Sequence, residues 1–288
     1  MERLFVKAAT DMNLIIGALK ERNLSNRSYK QLGQLIVVLL CALTLKQFYS
    51  TANVNDLRWI LAPTTLLVEL VSGSRFGFES YAGYINSDRS FIIAASCAGV
   101  NFLLTAFLML SLGKLWRGRA QSISWSFIPA AAVFAYLTTL AANTVRIALA
   151  LRLRASFSGI SWLDANQLHR VEGIFVYFGF LILLYGVSEK MSCRTGSDRE
   201  RMLLPDRKME SSCDGAWSIS RNLLRQSLFP LLIYYATTLG IPLANAVYRP
   251  GVRATDFWNH LVFVLLTPLV IILPIAAFRC YRDHVGLH

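Results

Sequence analysis

Trp125–Leu151 reads WSFIPAAAVFAYLTTLAANTVRIALAL, a run whose one formal charge is Arg146. At 1.5 Å per residue a helix of this length crosses the ~30 Å of a bilayer's hydrocarbon. Similar apolar runs extend over Gln31–Leu45, Ser90–Gly113, Leu168–Val187, Ser227–Val247 and Phe257–Phe278. The expected fold class is therefore all-α: a polytopic integral membrane protein with about six spanning helices. A shorter run, Trp59–Val71, contains Pro63 and Glu69 and has the ~10–14 residues of a re-entrant or interfacial segment. Composition agrees, because only 16% of the 288 residues are charged, against roughly 25% in soluble domains, and mean hydropathy is +0.45. Soluble, disordered, collagen-like, disulfide-scaffold and coiled-coil classes are excluded on the same figures.

The net charge of +12 would suggest nucleic acid as a partner for a soluble chain. Here the basic residues read as topology signals, and the partner expected is the lipid bilayer, not nucleic acid. With Trp59–Val71 returning to its starting side, Lys and Arg sum to 19 on one side and nine on the other. The richer side takes the N-terminal arm and the segment Lys190–Arg225, so both termini are expected in the cytoplasm of an inner-membrane protein. No cleavable signal peptide is expected in residues 1–30. Four regions follow: an N-terminal arm (1–30), a membrane core (31–187), a polar cytoplasmic linker (188–226) and a two-helix appendix (227–288). Ser72–Arg89, rich in Gly and Tyr, reads as an ordered external loop.

Ionisable residues inside apolar runs cost at least ~2.5–3.5 kcal/mol each, so each calls for a partner or a purpose. Arg146 lies roughly 9–12 Å inside the water boundary marked by Arg152 and Arg154. It either snorkels outward or sits in a polar pocket, and Asn143, one turn earlier on the same face, favours the pocket. His169 opens the next run at the same level, as either an interfacial residue or a catalyst, with Glu172 three residues on. Glu69 is either the counter-charge of Arg146 or a residue facing water. Five cysteines, at positions 41, 97, 193, 213 and 280, show no short paired spacing, so neither metal nor cofactor is expected. Cys97 is expected about seven residues, or ~10 Å, into an inward-going span. The topology leaves it as the one cysteine on the outer side, without a disulfide partner.

Cys97, Arg146 and His169 come from three spans of alternating direction, yet each falls in the outer third. A thiol beside His and Arg is favoured as thiolate, His can protonate a leaving amine, and a guanidinium can hold a tetrahedral oxyanion. Such a trio cleaves peptide bonds through a thioester.

Three blocks carry a resemblance to a known family: Ala95–Phe102 (ASCAGVNF), with Cys97 and Asn101; Asn143–Ile147 (NTVRI); and His169–Phe178 (HRVEGIFVYF). With Gly83–Asn86 (GYIN) ahead of the cysteine, the chain resembles the exosortase and archaeosortase family, most of all the exosortase K subtype. The resemblance implies a membrane cysteine transpeptidase in which Cys97 is the nucleophile, His169 the acid and base, and Arg146 the transition-state stabiliser. Ala98 stands where the family often has Ser. The implied partner is an exported protein ending in a recognition motif, a transmembrane helix and a basic tail. Two readings from other classes compete: a transporter lined by Arg146 and Asn143, and a non-catalytic scaffold for surface-polymer export.

Overall fold

A computed structural model describes residues 28–117, 123–156, 165–203, 228–240, 261–262 and 264–270, with the side chains of 154–156, 165–170 and 192–203 outside that description. The N-terminal arm up to residue 27, the segment 204–227 and most of the last two apolar runs also lie outside the described residues. Among the described residues, four helices are long and apolar enough to cross a membrane: Ser28–Thr51, Ala95–Arg117, Phe127–Leu153 and Val171–Met191. The full helices are α1 (Ser28–Thr51), α2 (Arg58–Ser72), α3 (Val100–Arg117), α4 (Phe127–Ser156), α5 (Ala165–Leu203) and α6 (Leu228–Gly240).

α4 is the hub, packing on α2, α3 and α5. Pro129 falls in its first turn, where a missing N–H costs nothing. Small residues Ala131, Ala135 and Ala142 are buried and let the neighbours approach. Val133, Phe134, Leu137, Val145 and Leu149 are exposed, giving α4 an apolar outer surface suited to lipid. Buried threonines are satisfied within their own turns: Thr139 donates to the Ala135 carbonyl at 2.7 Å and Thr144 to Leu140 at 2.8 Å.

Trp59–Val71 lies within one uninterrupted helix, α2, with no internal reversal. At about 22 Å it is too short to cross the hydrocarbon. Pro63 has no N–H to give the carbonyl four residues back, and that carbonyl, on Trp59, accepts instead from the Tyr136 hydroxyl of α4 at 2.8 Å. The two rings stack, with centroids 5.7 Å apart. Proline thus frees the acceptor that fastens α2 to the hub.

The chain is mostly helical, as expected, but the segment between α2 and α3 adds a small sheet where Ser72–Arg89 was read as an ordered loop. Strands β1 (Phe76–Glu79), β2 (Gly83–Asn86) and β3 (Ile92–Ile93) form an antiparallel sheet in that order, with Gly77 opposite Ile85 and Ile85 opposite Ile92. Gly83 has φ +119°, and a Cβ there would stand 2.3 Å from the Ile93 carbonyl oxygen, so only glycine lets β2 and β3 close. Alternation over such short strands was masked by the turn residues around them.

Two polar contacts fix the direction of α1 against the bundle. Near its start, buried Gln34 donates to the Ile123 carbonyl ahead of α4 at 3.1 Å. Near its end, Lys46 donates to Asn101 Oδ1 at the start of α3, at 2.9 Å. The chain between α1 and α3 therefore returns to the end it left, as the short length of α2 requires.

α5 runs unbroken to Leu203, past the boundary drawn at residue 187, because loss of hydropathy ends an apolar run without ending a helix. α6 docks on the core: Thr237 Oγ1 is 2.9 Å from Thr105 Oγ1, and Tyr234 and Phe229 pack on Phe178 and Tyr185 at 5.8 and 5.3 Å.

Candidate active site

Cys97 lies at the start of the candidate span Ala95–Arg117 but not in its α-helical part. It belongs to a 3-10 turn, Ala95–Ala98, that enters from extended Ala94 and leaves through Gly99 in the left-handed region at φ +68°. Its depth cannot be counted as seven residues of helix from Ser90, because residues 92–94 are extended and α3 begins at Val100. The Cys97 N–H donates to the Ala94 carbonyl at 2.9 Å, and the residue is buried, 8% exposed, with Ser96 exposed beside it. Cys41 and Cys97 form no disulfide.

Asn143 reaches this turn from α4. Its Nδ2 donates to the Ala98 carbonyl at 2.9 Å, and its side chain lies so close to Gly99 that a Cβ there would stand 2.4 Å from Nδ2. Gly99 is thus required twice, by φ and by space. Asn143 Oδ1 accepts from the Tyr177 hydroxyl at 2.6 Å, and that hydroxyl accepts from Arg146 Nη1 at 3.0 Å. Asn143 and Arg146 share a face of α4, as expected, and meet one residue of α5. The Arg146 guanidinium also lies 5.3 Å from the Tyr177 ring centroid, with room made by Gly173, where a Cβ would stand 3.0 Å from Nε. Phe102 of α3 stacks on the other side of the site, its ring 4.8 Å from that of Tyr177.

Cys97, Arg146, Tyr177 and Tyr49 all lie within electrostatic range of one another, and Glu172 is in range of Arg146. No protein-family model, curated protein or solved structure matches the chain. Its chemistry must be read from the residues themselves.

The structure brings Cys97, Asn143, Arg146 and Glu172 together at one end of the bundle. It decides between the two readings of Glu69 and gives Asn101 a partner. Glu69 is not the counter-charge of Arg146: its Oε1 accepts from the Phe76 N–H at 2.7 Å, so it caps the edge of the sheet. Asn101 turns its Oδ1 to Lys46 of α1. His169 lies in α5 one turn before Gly173, and its side chain is outside the described residues.

Three participants were missed from sequence. Tyr177 and Tyr49 sit in apolar helices where a tyrosine is unremarkable, and Lys46 was placed beyond the end of its run. A signal for Tyr177 did exist. Two polar residues one turn apart, Asn143 and Arg146, need a polar partner on the facing helix, and Tyr177 offers a hydroxyl there.

What can this arrangement do? A buried thiol on a 3-10 turn lies within electrostatic range of a guanidinium that donates to the Tyr177 hydroxyl. An anion forming near that guanidinium would be attracted to it, and the low local dielectric strengthens the attraction.

Proposed function

We propose that the protein is a cysteine endopeptidase and transpeptidase of the exosortase kind. It cleaves C-terminal sorting signals of exported proteins at the outer face of the cytoplasmic membrane. The reading rests on one observation: Cys97 and Arg146, from separate elements, are joined through Ala98, Asn143 and Tyr177 at the same end of the bundle. The resemblance of the three sequence blocks to the exosortase family supports it.

In this reaction the Cys97 thiolate attacks the scissile carbonyl, forming a C–S bond and a tetrahedral oxyanion. Arg146 donates to that oxygen, in the role of an oxyanion hole. As the oxyanion collapses, the C–N bond breaks and His169 gives a proton to the departing amine. The thioester on Cys97 then passes its acyl group to water or to an acceptor amine, and the thiol is restored. The substrate is an exported protein whose motif stands just outside its own transmembrane helix, with a basic tail on the cytoplasmic side. A thiol at the outer end of a spanning helix meets that motif at the membrane surface. Both termini are cytoplasmic in this arrangement, following the excess of Lys and Arg.

Co-expression of such a substrate with Cys97→Ala tests the reading. Processing is expected to stop while the enzyme accumulates normally in membranes. Unchanged processing would remove the cysteine mechanism and favour a transporter or scaffold.

A further inference from the structure

We propose that Tyr177 is the positioning residue of this site: it locks the Arg146 guanidinium to the turn that carries Cys97 and does not itself donate a proton to the reaction. The proposal rests on the reading of Cys97 as a nucleophile tuned by Arg146. It is carried by the polarity of the hydrogen bonds, which permits one arrangement.

The Ala98 carbonyl only accepts, so Asn143 must turn its amide nitrogen toward it, at 2.9 Å. That orientation leaves Asn143 Oδ1 facing Tyr177, and an amide oxygen also only accepts. The Tyr177 proton is therefore committed to Asn143, at 2.6 Å. The oxygen's lone pairs remain for Arg146, which only donates, and Nη1 takes that place at 3.0 Å. Every donor and acceptor in the relay has its role set by the backbone carbonyl at its far end. A hydroxyl whose proton is held this way is unsuited to be a general acid, and it is well suited to be an anchor.

The relay also closes on itself. Asn143 and Arg146 are one turn apart on α4, so a guanidinium held by Tyr177 cannot move without disturbing the amide that braces the thiol turn. Phe102 limits the Tyr177 ring from one side, and Gly173 leaves the space that the guanidinium fills. An oxyanion donor acts only when it is in place before charge develops, and this linkage supplies that placement.

The test reads the thiol directly and needs no substrate. The full-length protein in detergent, its Tyr177→Phe and Asn143→Ala variants, and the double variant are alkylated with N-ethylmaleimide between pH 6.5 and 9.5. Adducts on Cys97 and Cys41 are quantified separately by peptide mass spectrometry, exposed Cys41 serving as the internal reference. Tyr177→Phe is expected to slow Cys97 alkylation about fivefold at pH 7 and by less than about twofold at pH 9.5, because thiolate is abundant there in either protein. Asn143→Ala breaks the same relay while leaving the Tyr177 ring on Phe102, and is expected to give the same pH-dependent loss. The double variant is expected to be no slower than either single one, as links of one chain are not additive. A Cys97 profile that keeps its shape in Asn143→Ala overturns the proposal, even where Tyr177→Phe fails to fold. Additive losses at every pH, shared by Cys41, also overturn it, since general loosening would produce them. Failure of Cys97→Ala to stop processing would instead overturn the proposed function and leave the alkylation result standing.

Discussion

Two arginines in this molecule meet α5 in nearly the same way and end in different company. Arg146 lies 5.3 Å from the ring centroid of Tyr177, against Gly173. Arg117, at the far end of α3, lies 5.3 Å from the ring of Tyr185, with Gly113 3.4 Å from its Nη2 once a Cβ is added. Tyr177 and Tyr185 are about two turns apart on one helix, so the bundle repeats one packing solution: guanidinium on tyrosine, in a space left by glycine. Arg117 is then completed conventionally, by Glu189 at 3.5 Å and Ser188 at 3.4 Å. Arg146, with Glu172 also in electrostatic range, donates to a phenol that leads through the Asn143 amide to the thiol turn. The contrast suggests that packing alone does not mark a functional arginine. What distinguishes them is where their hydrogen bonds lead: one arginine closes a helix end, and the other leads to the turn that carries Cys97.

Several substitutions would break or sharpen this contrast. Arg146→Lys removes the planar fork and is expected to slow substrate processing by roughly 10²–10³-fold, the scale of losing one oxyanion donor. Arg117→Lys, by the same assay, is expected to change processing less than about threefold, because a half-exposed ion pair contributes little. Equal losses at both positions would erase the distinction. The glycines provide a finer comparison. Gly113→Ala meets only ordinary-to-tight contacts and is expected to stabilise α3 by up to about 1 kcal/mol through helix propensity, read as a raised Tm in detergent. Gly173→Ala presses on Arg146 Nε at 3.0 Å, and is expected to gain less stability while lowering processing a few-fold. If Gly173→Ala behaved like Gly113→Ala in both assays, the fit of Arg146 would not matter.

Much of the architecture was legible because the bilayer imposes length. Runs near Gln31, Ser90, Trp125 and Leu168 each overlap one of the four helices among the described residues that are long and apolar enough to span. Charge inside those runs was equally readable, since Arg146 and Asn143 on one face had to find a partner. The sheet was not legible. Its strands are two to four residues long, and what defines it, the approach of Gly83 to the Ile93 carbonyl, is a contact across intervening turns. Cys97 was read as helical because hydropathy does not distinguish a helix from an extended segment and a 3-10 turn of similar residues. Glu69 could not be decided from sequence: a carboxylate in an apolar run needs a donor, and the one it found is the strand-edge N–H of Phe76 rather than a distant cation. Lys46 and Tyr49 were missed because α1 continues past Lys46, where the apolar run ends, to Thr51.

The central claim is that Cys97 becomes acylated by its substrate. Wild-type protein co-expressed with a substrate carrying a motif, a transmembrane helix and a basic tail can be quenched in acid and mapped by mass spectrometry. The account predicts an acyl adduct on Cys97 that hydroxylamine releases, and that Arg146→Lys forms more slowly. Processing that continues with no adduct on Cys97, or with the adduct on another cysteine, would contradict it.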